Sequence, residues 1–171
     1  MDVIKCRKFL SVALLGLFLA CLGADRVAYG AISDSKVPQL LILASNTFVF
    51  NPRSLTWKAI NNKGAVVKSG RASGGRGYCP DIRRSCRTPS GTYHITSKRG
   101  ADCRSSRYPL GGGGAKMPYC MFFSENYAIH GSYDVPNRNA SHGCIRVRPK
   151  DAIWLHRNFI KIGTKVIVKP Y

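Results

Sequence analysis

The amino-acid sequence predicts one mostly β domain with a single short helix near its C-terminal end. Three observations carry that expectation. Apolar residues fall in short runs enriched in Val, Ile, Thr, Tyr and Phe, the length and composition of strands. Those runs are bounded by clusters of Gly, Asn, Pro and Ser, which favour turns. Only the segment after Pro149 spaces its apolar residues as a helix does. A chain of 171 residues suits one domain. Its 44% hydrophobic share excludes a disordered basic tail and a collagen-like repeat.

The first 30 residues read differently from the rest. Lys5, Arg7 and Lys8 precede an apolar run from Phe9 to Leu22, followed by small residues. This is the layout of a secretory signal peptide, and the run is too short to span a bilayer comfortably. Cleavage is expected after Gly23 or Gly30, leaving residues 31–171 as the folded domain, not transmembrane once the signal is removed. Phe18-Leu19-Ala20-Cys21 is a degenerate lipoprotein box, so a lipid anchor at Cys21 is a second outcome at this site.

The strands are expected in the following order. Gln39–Ala44 is a nearly continuous apolar run. Leu55–Ile60 and Ala65–Ser69 flank Asn61-Asn62-Lys63-Gly64 and form a hairpin. Thr92–Thr96 follows the turn Pro89-Ser90-Gly91. Met121–Phe123 and Tyr127–Ile129 form another pair. Cys144–Arg148 alternates apolar and basic residues. Pro149 then opens the helix, Ala152, Ile153, Leu155 and Phe159 supply its apolar face, and Gly163 closes it. Lys165–Lys169 is the last strand. The run Gly111–Gly114 lacks the Lys-Ser/Thr of a phosphate cradle, which leaves a flap beside a site or a surface linker.

The densest chemical constellation is Ile129-His130-Gly131-Ser132 with Ser141-His142-Gly143-Cys144-Ile145-Arg146. A thiol is strongly nucleophilic only as thiolate, and a nearby imidazole and guanidinium favour that form. Gly143 allows close approach of a substrate to the backbone, whose N–H groups can hold an oxyanion. His130 and His142 are both plausible bases, because an extended segment would place His142 and Cys144 on one face. The competing readings are an inert buried thiol, a disulfide partner, or a zinc site; the last lacks paired C-x-x-C spacing.

Ser141–Arg146 together with Ile129-His130-Gly131 resembles the signature of the L,D-transpeptidases, exported bacterial enzymes that remodel peptidoglycan. Thr88–Thr92, Met117-Pro118-Tyr119, Asp151-Ala152 with Trp154-Leu155, and Gly163-Thr164 are similar in the same order, so the resemblance covers residues 38–171. It implies a sandwich- or barrel-like mixed β fold and a cysteine acyl transfer that needs no metal or organic cofactor. Cys144 would be the nucleophile and His130 the base, oriented by the Gly131 carbonyl or Ser132. The N–H groups of His142, Gly143 and Cys144 would hold the oxyanion. Arg146, Ser141 and Tyr119 would serve the substrate or the cysteine loop. The substrate would be a peptidoglycan stem peptide, cleaved between the L-centre of its third residue and D-Ala. The acceptor would be an amine, or water for an L,D-carboxypeptidase. Ten residues, 131–140, separate His130 from Ser141, fewer than the family usually has, so a differently shaped loop is expected over the site.

An exported domain keeps Cys79, Cys86, Cys103, Cys120 and Cys144, which read as two disulfides and one free thiol. With Cys144 assigned to chemistry, three pairings of the other four remain. Cys79–Cys86 and Cys103–Cys120 are expected, bracketing the Pro80-Asp81 turn and the glycine run.

The formal net charge is +19, and the 23 basic and 6 acidic residues outside the leader leave +17. Such a surplus points to an anionic partner. A non-catalytic cationic polymer binder or adhesin, using the basic stretch from Arg71 to Arg107, is therefore the rival reading. Nucleic acid is not expected: no finger, helix-turn-helix or basic-aromatic motif is present. A periplasmic or otherwise exported monomer at the cell wall, held near anionic envelope polymers, is the expected setting.

Overall fold

The computed structural model describes residues 45–171. The leader, the Cys21 lipid site and the strand expected at 39–44 lie outside the described residues. The described chain is mostly β, as expected, with nine strands in one sheet. They are β1 (Thr47–Asn51), β2 (Thr56–Ile60), β3 (Val66–Ser73), β4 (Gly91–His94) and β5 (Ser97–Lys98), then β6 (Met121–Ser124), β7 (Tyr127–Gly131), β8 (Ile145–Val147) and β9 (Lys165–Val168). Helix α1 (Pro149–Trp154) continues into one π-helical turn, Leu155–Phe159.

The order across the sheet is β4-β9-β1-β2-β3-β8-β7-β6-β5. β1–β9 and β7–β8 are parallel pairs and the others antiparallel. The two ends of this order, β4 and β5, are consecutive in the chain. The backbone between them donates from Ile95 to Thr164 O at 2.9 Å and from Thr96 to Phe122 O at 2.8 Å. One continuous stretch thus bonds first to β9 and then to β6, curling the sheet into a barrel-like shape.

The hairpin β2–β3 forms across Asn61-Asn62-Lys63-Gly64 and the pair β6–β7 forms, both as expected. The strand β1 was not expected. Phe48, Val49 and Phe50 are all buried, so no alternation marks it, and it contributes the Phe48 ring that stacks on Trp57 at 5.9 Å. The two-residue β5 was not expected either. Its Lys98 Nζ donates to His156 O and Ile160 O, both at 2.6 Å, closing the carbonyl end left by the π turn.

The core gathers Phe48, Phe50 and Trp57 with Ile129, Ile145 and Val147 of the central strands, Leu155 and Phe159 of the helical segment, and Val166 and Val168 of β9. Pro149 stands at the helix start, where its missing N–H costs nothing. Asp151, buried in the first turn, pairs with Lys68 at 3.6 Å and suits the positive end of the helix. Gly131 lets this helix close on β7: a Cβ there would come within 3.2 Å of Ala152 Cβ. The packing of α1 on β7 is what sets His130 against a rigid support. No helix of the described residues is long and apolar enough to cross a membrane.

Candidate active site

β7 and β8 run parallel, with His130 level with Arg146. Side chains at equal register in parallel strands share a face, and so do residues two apart along one strand. Cys144, at the entry to β8, therefore lies on the face of His130 and Arg146. All three line one cavity of about 510 Å³.

The cysteine loop owes its shape to Gly143, which holds φ at +124°, a region L-residues rarely enter. A Cβ there would also collide with the Tyr127 ring. Ser141 Oγ donates to Cys144 O at 2.6 Å and accepts from the Gly143 N–H at 3.0 Å. The Gly143 amide is therefore committed inside the loop, a departure from the oxyanion role expected of it. Its carbonyl accepts from Thr88 Oγ1 at 2.7 Å, while that hydroxyl accepts from the Gly75 N–H at 3.0 Å. Tyr171 completes the brace: its hydroxyl accepts from the Thr88 N–H and donates to Gly75 O, each at 3.0 Å.

His130 is buried, with Nδ1 2.9 Å from Gly131 O. A carbonyl can only accept, so Nδ1 carries the proton and Nε2 is left with its lone pair. Burial lowers the His130 pKa to about 4; the Gly131 bond opposes the shift and the Arg146 charge adds to it. Burial also pushes the Cys144 thiol up, against the Ala128 backbone and Arg146, which both favour the thiolate. The resting pair is thus neutral thiol and neutral imidazole.

His142 also borders the cavity but is engaged elsewhere. Its Nε2 lies 2.8 Å from Asp81 Oδ2, and its ring is 4.4 Å from that of Tyr108. The turn at Gly143 breaks the extended alternation that would have aimed His142 with Cys144. Ser132 Oγ accepts from the Asp134 N–H at 3.1 Å, so the Gly131 carbonyl, not Ser132, meets the imidazole. Arg146 is ion-paired with Asp134. Tyr119 does not border the cavity; its ring packs edge-on to His156.

The disulfides join Cys79 to Cys86 and Cys103 to Cys120, and Cys144 is free, as expected. The Cys79–Cys86 loop carries Asp81 to His142. Cys79, Cys86 and His142 cluster within 4.8 Å, but two sulfurs bonded to each other offer no thiolates, so this set does not suit zinc. The glycine run forms a hydrogen-bonded hairpin: Gly114 N–H to Ser105 O at 2.7 Å and Ala115 N–H to Tyr108 O at 2.9 Å. Tyr108, Ala115 and Lys116 of this hairpin border the cavity, which favours the flap reading over a plain linker.

Asp81, Thr88, Tyr108, Tyr127 and Tyr171 contribute to the site without having been singled out for it. Thr88 alone carried a signal, as part of Thr88–Thr92. The others reach the loop from distant chain positions that spacing does not connect.

The curled β sheet thus presents a free cysteine and a buried histidine to one cavity. The family model of the YkuD L,D-transpeptidase catalytic domain matches residues 46–168, and the chain belongs to this family. Among solved structures, the L,D-transpeptidase (residues 123–326) from Xylanimonas cellulosilytica is similar at 29% identity and TM-score 0.62, covering 73% of this chain and 60% of its own. An L,D-transpeptidase from Mycobacterium smegmatis is similar at 20% identity and TM-score 0.60, covering 74% and 59%. L,D-transpeptidase 3 from Mycobacterium tuberculosis, solved with a faropenem-derived adduct, is similar at 22% identity and TM-score 0.59, covering 74% and 60%. The chain thus spans about 60% of the length of these relatives. No curated protein matches it.

Proposed function

We propose that the protein is an exported L,D-transpeptidase acting on peptidoglycan stem peptides through a Cys144 thioester. The observation that carries this reading is the sharing of one cavity by the free thiol of Cys144 and an imidazole whose tautomer the Gly131 carbonyl fixes.

Cys144 Sγ attacks the carbonyl between the L-centre of the third stem residue and the terminal D-Ala. His130 Nε2 takes the thiol proton, and the resulting imidazolium is steadied by the Gly131 carbonyl. The N–H groups of His142 and Cys144 hold the oxyanion, since that of Gly143 is already bound. As the C–N bond breaks, the imidazolium returns its proton to the departing D-Ala amine, leaving the acyl group on sulfur. An acceptor amine then attacks the thioester, loses its proton to Nε2, and the thiolate leaves and is reprotonated. With water as acceptor, the same steps give a carboxypeptidase.

The test pairs a tetrapeptide stem with a D-amino acid acceptor and follows release and exchange by mass spectrometry. Cys144→Ala is expected to abolish both, and His130→Ala to slow thioester formation by about 10²–10⁴-fold. Absence of release and exchange in the wild type, with stem binding intact, would leave the cationic binder as the better reading, and unchanged exchange in Cys144→Ala would remove Cys144 as the nucleophile. Acylation lost in His142→Ala but kept in His130→Ala would reverse the choice of base.

A further inference from the structure

The cavity around Cys144 is bordered by more positive charge than its chemistry uses. Arg84, Arg99, Arg104, Arg107 and Lys116 line it, and none of the five has an ion-pair partner among the described residues, whose salt bridges join Lys68–Asp151, His142–Asp81 and Arg146–Asp134. Glu125 is the one carboxylate of the lining, beside Asp134, that stands against them. The cations are also held in place. Arg104 donates to Gly114 O at 3.1 Å, and the Arg107 guanidinium stands 5.7 Å from the Tyr108 ring that faces His142. Arg99 stands 5.7 Å from the Phe122 ring. Arg84 sits on the loop closed by Cys79–Cys86, while Arg104, Arg107 and Lys116 sit on the one closed by Cys103–Cys120.

We infer that this rim is a carboxylate-reading subsite that selects an acyl donor carrying free carboxylates over one in which they are amidated. The inference rests on the proposed acyl transfer and names the form of donor it prefers. Unpaired guanidiniums recognise carboxylates through charge-assisted, often bidentate hydrogen bonds. Because the cations share a cavity with the thiol, the anion they bind belongs to the molecule whose carbonyl reaches Cys144. The cavity's volume suits a few peptide residues and not a long polymer. A stem peptide meets this requirement when the carboxylates along it are free. Converting them to amides removes the charge and keeps the shape.

The experiment compares a free tetrapeptide stem with its bis-amidated counterpart in two readouts: acyl transfer by the wild-type protein, and calorimetric binding to Cys144→Ala. The free stem is expected to bind and to react about tenfold better at low ionic strength. Raising salt from about 0.05 to about 0.5 M should shrink that ratio. The double variant Arg104→Gln/Arg107→Gln, checked for an unchanged melting temperature, should bring the ratio toward one. Equal binding of the two stems to Cys144→Ala, or preference for the amidated stem, overturns the inference whatever the wild type does to bonds. Selective binding without transfer from either stem by the wild type keeps the inference and overturns the proposed function instead.

Discussion

His130 shows how one backbone contact sets the direction of a proton. The Gly131 carbonyl holds the proton on Nδ1, and burial keeps the ring neutral down to a pKa of about 4. A base is active in its deprotonated form, so acylation should fall only as the pH drops through about 4. We expect kcat/KM to be flat across pH 5.5–7.5, with no inflection near 6.5 where an ordinary histidine titrates. A pH–rate profile with a stable donor checks this, and an acid limb at 6–7 would contradict the buried neutral imidazole. His130 and Cys144 were legible because their residue types sit in a dense motif. The commitment of the Gly143 amide to Ser141 was not, because it depends on a φ of +124° that a sequence does not display.

At the scale of elements, the two disulfides shape the approach to the thiol instead of fastening the sheet. Each closes a loop that borders the cavity, with sequence separations of 7 and 17. The larger loop restrains the unfolded chain more, and in the chain-entropy model its bridge contributes on the order of 3 kcal/mol. Cys103→Ser/Cys120→Ser should therefore unfold at lower denaturant, by roughly that free energy, which chemical denaturation monitored by tryptophan fluorescence measures. An unchanged midpoint would mean that hydrogen bonds such as Gly114 N–H to Ser105 O hold the hairpin unaided. The hairpins β2–β3 and β6–β7 were readable because turn residues sit between strand-like runs. β1 was not, since both its faces are buried and a period of two is lost. β5 was not, since two residues carry no period and its partner is chosen by sheet closure.

At the scale of the whole molecule, residues far apart in the chain meet behind the nucleophile. Gly75, Thr88, Gly143 and Tyr171 share one hydrogen-bond relay, and Thr88 is fully buried. Thr88→Ala would leave the Gly143 carbonyl and the Gly75 N–H without this partner, at a cost of about 1–3 kcal/mol. We expect that variant to lose kcat more than it raises KM, because the loop geometry that serves the transition state is loosened. Thr88→Ser, which keeps the hydroxyl, should recover most of the rate. Equal stability loss with unaltered kcat would reduce the relay to a structural brace.

The place of β9 bears on how the chain comes together as it is made. It is the last strand of the described residues, yet it lies between β1 and β4, which have no direct pairing with each other. Until Lys165–Val168 arrives, β1 presents one bare edge and β4 has no ladder at all, and bare edges invite pairing with other chains. An unfinished chain can form the β1–β2–β3 meander locally, but the circuit of strands cannot close. Such late, distant pairing slows folding, and it makes the docking of β9 the step at which a newly made chain stops being prone to aggregate.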